Sequence, residues 1–252
     1  GADIVVRSSA IRDDNSEVKA AIEAGIPVLK RSGFLGQLLK DNRTIAVAGS
    51  HGKTTTTAMI SWMLARVGKD PSFIIGSNSV DLGTNAHAGL GEHFVIEADE
   101  YDGMFLGLSP MIAIVTNIEH DHPDCYPTAK DFYQAFELFS RKLKPGGILL
   151  ACADDQGALK LSREYVNQGG NCLLYGKDNK QSDFRAGNLQ LNSSGGYNFS
   201  VFGSDGDELT QVSLKVPGLH NVLNSLAAIS VAAIEKLPID QSAMAVSEFR
   251  GT

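Results

Sequence analysis

Between Thr44 and Thr57 the chain reads Thr-Ile-Ala-Val-Ala-Gly-Ser-His-Gly-Lys-Thr-Thr-Thr-Thr, an apolar run that meets a glycine turn carrying a lysine and then a helix-forming stretch. No other segment constrains the fold as tightly. A strand that passes at once into a helix leaves the first helical N–H groups without internal acceptors, and glycines let that backbone approach an anion closely. The turn Gly49-Ser50-His51-Gly52 therefore reads as a cradle for nucleotide phosphates. Lys53 is placed to reach the β- and γ-phosphates, and Thr54 to lend its hydroxyl to a Mg²⁺ shell, with Thr55 beside it. The strict phosphate-loop pattern has four residues between its glycines, and Gly49 and Gly52 have two. Context supplies what the pattern lacks. Ile45, Ala46 and Val47 form a buried-type strand, Ile60, Met63, Leu64 and Val67 recur at i, i+3, i+4 and i+7, and Gly68 closes the helix. His51, inside the turn, reads as a positioning group rather than a base.

A chain of 252 residues with 43% hydrophobic and 20% charged residues can bury one large core or two smaller ones. The formal charge of −7 argues against nucleic acid as a partner, since phosphate backbones would be repelled. No apolar run reaches the roughly 18 residues of a membrane span, and no signal peptide is visible. Cys125, Cys152 and Cys172 share no metal-type spacing and cannot all pair, which reads as reduced thiols in a cytoplasmic protein. The first residue is not methionine, and the ends read as those of a fragment.

Along the chain, short strands at residues 3–6 and 26–29 flank a helix over 16–24 that closes at Gly25. After the phosphate turn and its helix, strands are expected at 94–96, 111–116 and 148–151, with a helix capped by Thr128 between the last two. Phe132, Phe136, Phe139 and Leu143 give that helix an apolar stripe. From about Phe184 the period becomes two, with turns at 193–196 and 204–207, and a long helix follows over 219–237. The pattern predicts an α/β fold: a mostly parallel phosphate-loop sheet flanked by helices, with a small antiparallel flap of three strands.

In open α/β sheets ligands sit at the carboxyl ends of strands. Three such ends carry polar clusters: residues 49–54, 97–102 and 117–124. Glu97, directly after an apolar strand, stands where a Mg-nucleotide needs a carboxylate. Asp99, Glu100 and Asp102 each read more readily as members of a solvated acidic loop. By residue type alone His122 is a poor Mg²⁺ ligand, because that ion prefers oxygen. His87, His93, His120 and His220 show no partner readable from sequence.

Five stretches together resemble the Mur ligase family in order and spacing. They are Gly-Ser-His-Gly-Lys-Thr-Thr-Thr-Thr, Glu-Ala-Asp-Glu-Tyr-Asp, Thr-Asn-Ile-Glu-His-Asp-His, His220-Asn221-Val222-Leu223-Asn224 and the terminal Phe-Arg-Gly-Thr. The likeness covers nearly the whole chain, including Ser8-Ser9-Ala10-Ile11 and Ile26-Pro27-Val28. It implies three domains: one for a UDP-sugar, a central ATPase and a Rossmann-like third. Residues 1–43 would end the first, 44–248 form the ATP-binding second, and 249–252 begin a linker to an absent third. It further implies ATP and Mg²⁺ as cofactors, Lys53 on the phosphates, and Thr54, Glu97 and His122 serving the metal. Asn221 and Asn224 would approach the adenine. The reaction implied joins an amino acid to a carboxylate through an acyl phosphate, in peptidoglycan precursor synthesis. The branch most similar adds L-alanine to UDP-N-acetylmuramate, as a monomer or weak dimer. A fragment of this extent would bind Mg-ATP without ligating.

Two residues leave alternatives open. Tyr101 stands where many alanine-adding members have serine, and murein peptide ligases, which reload tripeptide, share the tyrosine. Glu137 stands fifteen positions after His122, where other branches carry a carbamylated lysine. It either replaces that carbamate, making activity independent of bicarbonate, or faces solvent. Folylpolyglutamate synthase fits Glu-Ala-Asp-Glu poorly. A nucleotide-binding switch without ligase chemistry is the rival from another class, although no Asn-Lys-x-Asp guanine signature is present.

Overall fold

The computed structural model describes residues 1–8 and 11–252, so Ser9 and Ala10 of the Ser8-to-Ile11 stretch lie outside the described residues. The chain opens with a small unit, β1 (Val5–Arg7), α1 (Ser16–Glu23), β2 (Val28–Lys30) and α2 (Arg31–Leu38), whose two strands pair in parallel as a sheet of their own. Asn15 caps α1, its side chain accepting from the N–H groups of Glu17 and Val18. Gly25 then ends the helix at φ 70°.

The main body starts with β3 (Arg43–Ala48), α3 (Lys53–Arg66), β4 (Ser72–Ile74), β5 (Ala86–His87) and β6 (His93–Glu97). A 3₁₀ segment (Tyr101–Gly107) leads to β7 (Ile112–Val115), α4 (Ala129–Ser140), β8 (Ile148–Cys152), α5 (Gln156–Asn167) and β9 (Asn171–Gly176). The chain closes with β10 (Phe184–Leu191), β11 (Tyr197–Phe202), β12 (Glu208–Ser213), α6 (Leu219–Ile234) and α7 (Ile239–Glu248). One ten-stranded sheet runs β12-β11-β10-β9-β8-β7-β3-β6-β4-β5. At its centre β3 pairs in parallel with β6 and β7, Ile45 lying opposite both Val95 and Ile112. Helices cover both faces, which is why β3, β7 and β8 read as continuous apolar runs.

The expected three-stranded flap is present as β10, β11 and β12, antiparallel and joined by the two expected turns. It is continuous with the main sheet, because Phe184 and Arg185 of β10 pair in parallel with Tyr175 and Gly176 of β9. The helix expected over 219–237 ends earlier, at Ile234. Sequence patterning passed over α2, β4, β5, α5, β9 and α7. In α2 the residues Gly33 and Gly36 hide the helical period, yet Gly36 has a packing reason: a Cβ there would lie 2.6 Å from the carbonyl oxygen of Gly107.

Two packing features bear on the site. Thr128 and Asp131 form a reciprocal capping box that starts α4, and the helix buries Phe132, Phe136 and Phe139. Against them lies Phe105 of the 3₁₀ segment, stacked on Phe139 at 4.7 Å and edge-on to Phe136 at 5.4 Å. On the other face α6 is buried along most of its length and packs on α3 and α7, while Trp62 of α3 donates to the carbonyl of Ala245 at 2.8 Å.

At the opposite end of the sheet, Glu235 accepts from Arg43 through both carboxylate oxygens (2.6 and 2.8 Å) and faces His93 Nε2 at 3.1 Å. Burial alone would raise the Glu235 carboxyl, but hydrogen bonds from His93 and Arg43 outweigh it and hold the group at about 2, below the ordinary 4.5. A depressed carboxyl contributes stability that is present above pH 4.5 and is lost as pH falls through about 2. The contribution is on the order of 3 kcal/mol. The unfolding free energies of parent and Glu235→Gln should therefore differ clearly at pH 6 and converge near pH 2; a constant difference across that window would refute the linkage.

Candidate nucleotide site

The phosphate turn is positioned from both sides by close backbone contact. Gly49 adopts φ 138°, and a Cβ there would lie 2.1 Å from Thr116 Oγ1; Gly52 adopts φ 83°, and a Cβ there would lie 2.8 Å from Asn224 Oδ1. Both positions therefore demand glycine. Thr116 and Asn117, beyond the end of β7, stitch the turn down. Thr116 Oγ1 donates to His51 O (2.6 Å), and Asn117 both accepts from His51 N (2.8 Å) and donates to His51 O (3.1 Å). Ser50 is buried and exchanges hydrogen bonds with the Glu119 backbone, while the His51 ring is exposed, its Nε2 at 3.7 Å from Glu119 Oε2. Gly52 caps α3 without a side chain, so the leading N–H groups of that helix are left for an external anion.

Lys53 extends back over the turn, its Nζ donating to Gly49 O at 2.6 Å and to Glu100 Oε1 at 2.9 Å. Thr54 Oγ1 donates to Glu97 Oε1 at 3.0 Å, and the second Glu97 oxygen accepts from Gly76 N at 2.7 Å. The strand order explains this meeting. β6 lies beside β3, so Glu97 ends level with the start of α3. His122 takes a different neighbour: its Nε2 lies 3.5 Å from Glu100 Oε1 and 3.9 Å from Asp121 Oδ2. Among the described residues no hydrogen bond or ion pair joins His122 to Glu97 or Thr54, and no group of three or more His, Cys, Asp and Glu side chains is placed to hold a metal by itself. A Mg²⁺ ion held by one hydroxyl, one carboxylate and substrate phosphates needs no such group. The Thr54–Glu97 oxygens fit that chemistry.

The acidic loop is not uniformly solvated, and this corrects the expectation for Glu100. It is fully buried, whereas Tyr101 beside it is exposed. Met104, Phe105 and Leu108 of the same segment are buried too, but Asp102 and Gly103 between them and Glu100 adopt left-handed φ values of 51° and 63°, so helical spacing does not carry back to Glu100. No periodic signal in the sequence marks Glu100, because the packing of the kinked segment turns it inward. Nothing in the sequence pattern marks Thr116 or Asn117 as braces, since both act through tertiary contact.

His122 itself sits at φ 53°, in the left-handed region, with its N–H on Asp121 Oδ1 at 2.7 Å. That bond holds the Asp121 carboxyl below its ordinary range. The Tyr101 ring meets the His122 ring edge-on at 5.2 Å, and its hydroxyl donates to Asp124 Oδ2 at 2.9 Å, an acceptor that pushes the phenol up to about 12. Asn224 Nδ2 donates to Asn221 Oδ1 (3.1 Å), and Asn221 Nδ2 to Pro217 O (2.7 Å), so the pair is tied together against the Gly52 side of the turn. Glu137 is half-buried on α4 near Tyr133, whose hydroxyl is raised by burial and by its bond to Glu164 (2.7 Å), with Glu137 the smallest contributor. It shares no hydrogen bond or ion pair with Lys53, Glu97, Glu100 or His122 among the described residues.

A parallel α/β sheet with a glycine turn, lysine and threonine at the end of its central strand defines a phosphate-binding class of protein. Residues 47–232 match the family described as Mur ligase middle domain, and residues 1–43 match the one described as Mur ligase family, catalytic domain. The chain belongs to the Mur ligase family. It is 43% identical over 251 residues to a UDP-N-acetylmuramate--L-alanine ligase of Arthrobacter sp. (strain FB24), a match covering 99% of this chain and 52% of that protein. A protein of the same name from Pelotomaculum thermopropionicum is 40% identical, over 99% of this chain and 53% of its own length. The chain thus spans about half the length of the curated relatives it matches. Among solved structures, the UDP-N-acetylmuramate-alanine ligase of Thermotoga maritima superposes with a TM-score of 0.82 at 30% identity, covering 99% of this chain and 55% of that one. The UDP-N-acetylmuramate:L-alanyl-gamma-D-glutamyl-meso-diaminopimelate ligase from Neisseria meningitides superposes at 0.85 with 25% identity, over 100% and 80%.

Proposed function

We propose that this sequence forms the ATP-binding part of a ligase that joins L-alanine to the carboxylate of UDP-N-acetylmuramate. The observation that carries the reading is the meeting of Lys53 and the Thr54–Glu97 oxygen pair at the open N-terminus of α3. A carboxylate resists nucleophiles because it is already anionic. Transfer of the γ-phosphoryl group of ATP onto it makes an acyl phosphate, from which the amine of the amino acid expels phosphate. Lys53 and the α3 N–H groups would hold the phosphates and balance charge on the moving phosphoryl group. Mg²⁺, when bound, would neutralise further charge there, with Thr54 and Glu97 as its protein ligands. His122 would serve at the edge of the same site. Asn221 and Asn224, beside the turn, would border the nucleotide.

Murein peptide ligase is the second reading, favoured by Tyr101, which rests on His122 at the mouth of the site. The deciding experiment measures phosphate release and amide product in a protein of the relatives' full length that carries this sequence, with UDP-N-acetylmuramate and either L-alanine or the tripeptide as co-substrate. Release without dependence on the UDP-sugar would favour a nucleotide switch instead. For residues 1–252 alone, calorimetry should detect Mg-ATP binding. Glu97→Ala should raise the Mg²⁺ concentration needed for half-maximal ATP binding by roughly tenfold or more; coincident metal titrations would make Glu97 a mere partner of Thr54 and Gly76.

A further inference from the structure

Glu100 has no part in the chemistry described so far, yet its carboxylate is bonded to Lys53. Its side chain is fully buried, its Oε1 takes Lys53 Nζ at 2.9 Å and faces His122 Nε2 at 3.5 Å, and among the described residues its Oε2 has no hydrogen-bond partner. Lys53 in turn meets three acceptors: Gly49 O at 2.6 Å, Glu100 Oε1 at 2.9 Å and Ser50 O at 3.4 Å. An ammonium has three hydrogens to donate, so each already has a protein acceptor. A phosphate oxygen can engage Lys53 only by displacing one of them. Two are carbonyls of the turn that shapes the cradle. The third is an anion, which a phosphate replaces charge for charge.

Displacement has a consequence for Glu100. A buried carboxylate that loses its cation is strongly unfavourable, and here one oxygen is unpartnered from the start. Tyr126 fixes the segment by donating to the Glu100 carbonyl, so the side chain does not simply swing out with its backbone. A divalent cation on the Thr54–Glu97 oxygens, beside the start of the helix that carries Lys53, would bring positive charge back to the site as the phosphates take the ammonium.

Resting on the nucleotide-binding reading above, we propose that Glu100 is the resting counterion of Lys53: it competes with the nucleotide phosphates for the ammonium, and by losing that contest it makes nucleotide binding depend on a divalent cation.

The test is calorimetric titration of residues 1–252 with ATP, once with Mg²⁺ and once in EDTA. The parent should bind far more weakly in EDTA. Glu100→Gln keeps the shape and removes the charge, so it should bind ATP in EDTA about tenfold more tightly than the parent, the equivalent of about 1.4 kcal/mol, and the gap between the two conditions should narrow accordingly. Glu100→Asp keeps the charge on a shorter arm and should fall between the two. If Glu100→Gln does not unfold cooperatively, the comparison of Glu100→Asp with the parent carries the test. Equal metal-free affinities in parent and variant would overturn the proposal, as would a weaker metal-free affinity in Glu100→Gln, which would make Glu100 a support for Lys53 rather than its competitor. Absence of ATP binding by the parent even with Mg²⁺ would instead remove the nucleotide reading, and this proposal with it.

Discussion

Lys53→Ala should lower the affinity of residues 1–252 for Mg-ATP by about tenfold to a hundredfold, the ratio that corresponds to losing a charge-assisted hydrogen bond of about 1.5–3 kcal/mol. The side chain is only 13% exposed, and its Nζ lies over the turn whose N–H groups would meet the phosphates. No other Lys or Arg makes a hydrogen bond or ion pair with Glu97, Glu100 or His122 among the described residues, so none stands ready to replace it. A second effect accompanies the first. The substitution strands Glu100 in a fully buried position, and breaking a buried pair from one side typically removes about 3–5 kcal/mol of stability. The two effects separate by measurement: calorimetry reads the affinity, and urea unfolding without nucleotide reads the stability. Adding Glu100→Gln should recover much of the stability, since no buried charge then remains, but not the Mg-ATP affinity. A Lys53→Ala protein that binds Mg-ATP as tightly as the parent would sink the phosphate-cradle assignment.

The parts of this molecule legible in the sequence were those whose signal is local. β3, α3 and the turn between them declare themselves because strand, glycine and helix period follow one another without interruption. The α4 stripe and its Thr128 cap are legible for the same reason, with three phenylalanines at helical spacing behind a capping threonine. The antiparallel strands appear through their period of two. What failed to show were short or irregular elements, such as β4 with three residues and α2 with two internal glycines, whose form is set by what they pack on. The same division runs through the site. Lys53 and Thr54 open the helix after the glycine turn and Glu97 ends a strand, places where their chemistry is conspicuous. Glu100 was hidden among acidic neighbours because only the tertiary packing of the 3₁₀ segment turns it inward. The place of His122 was likewise not legible, since a left-handed backbone at φ 53° and the edge of Tyr101 set it beside Glu100.

That inward turn depends on Phe105, and Phe105→Ala should destabilise the protein by about 3–5 kcal/mol, the range for removing a large aromatic from a packed core. The ring is fully buried, stacked on Phe139 at 4.7 Å and edge-on to Phe136 at 5.4 Å. Its neighbours cannot readily collapse into the space, because Phe132, Phe136 and Phe139 are held at fixed spacing along α4 and the capping box anchors the start of that helix. The backbone adds a constraint: Phe105 N donates to Asp99 O at 2.9 Å, so the turn that carries Glu100 is closed by the same residue. Urea unfolding should therefore show a lower midpoint with an unchanged slope. Leu138→Ala, on the exposed side of the same helix at 49% exposure, should change stability by no more than about 0.5 kcal/mol and serves as the control. If Phe105→Ala lost less than about 1 kcal/mol, the aromatic cluster would be tolerant of a cavity, and the rigidity ascribed to the Glu100 turn would have to come from Tyr126 instead.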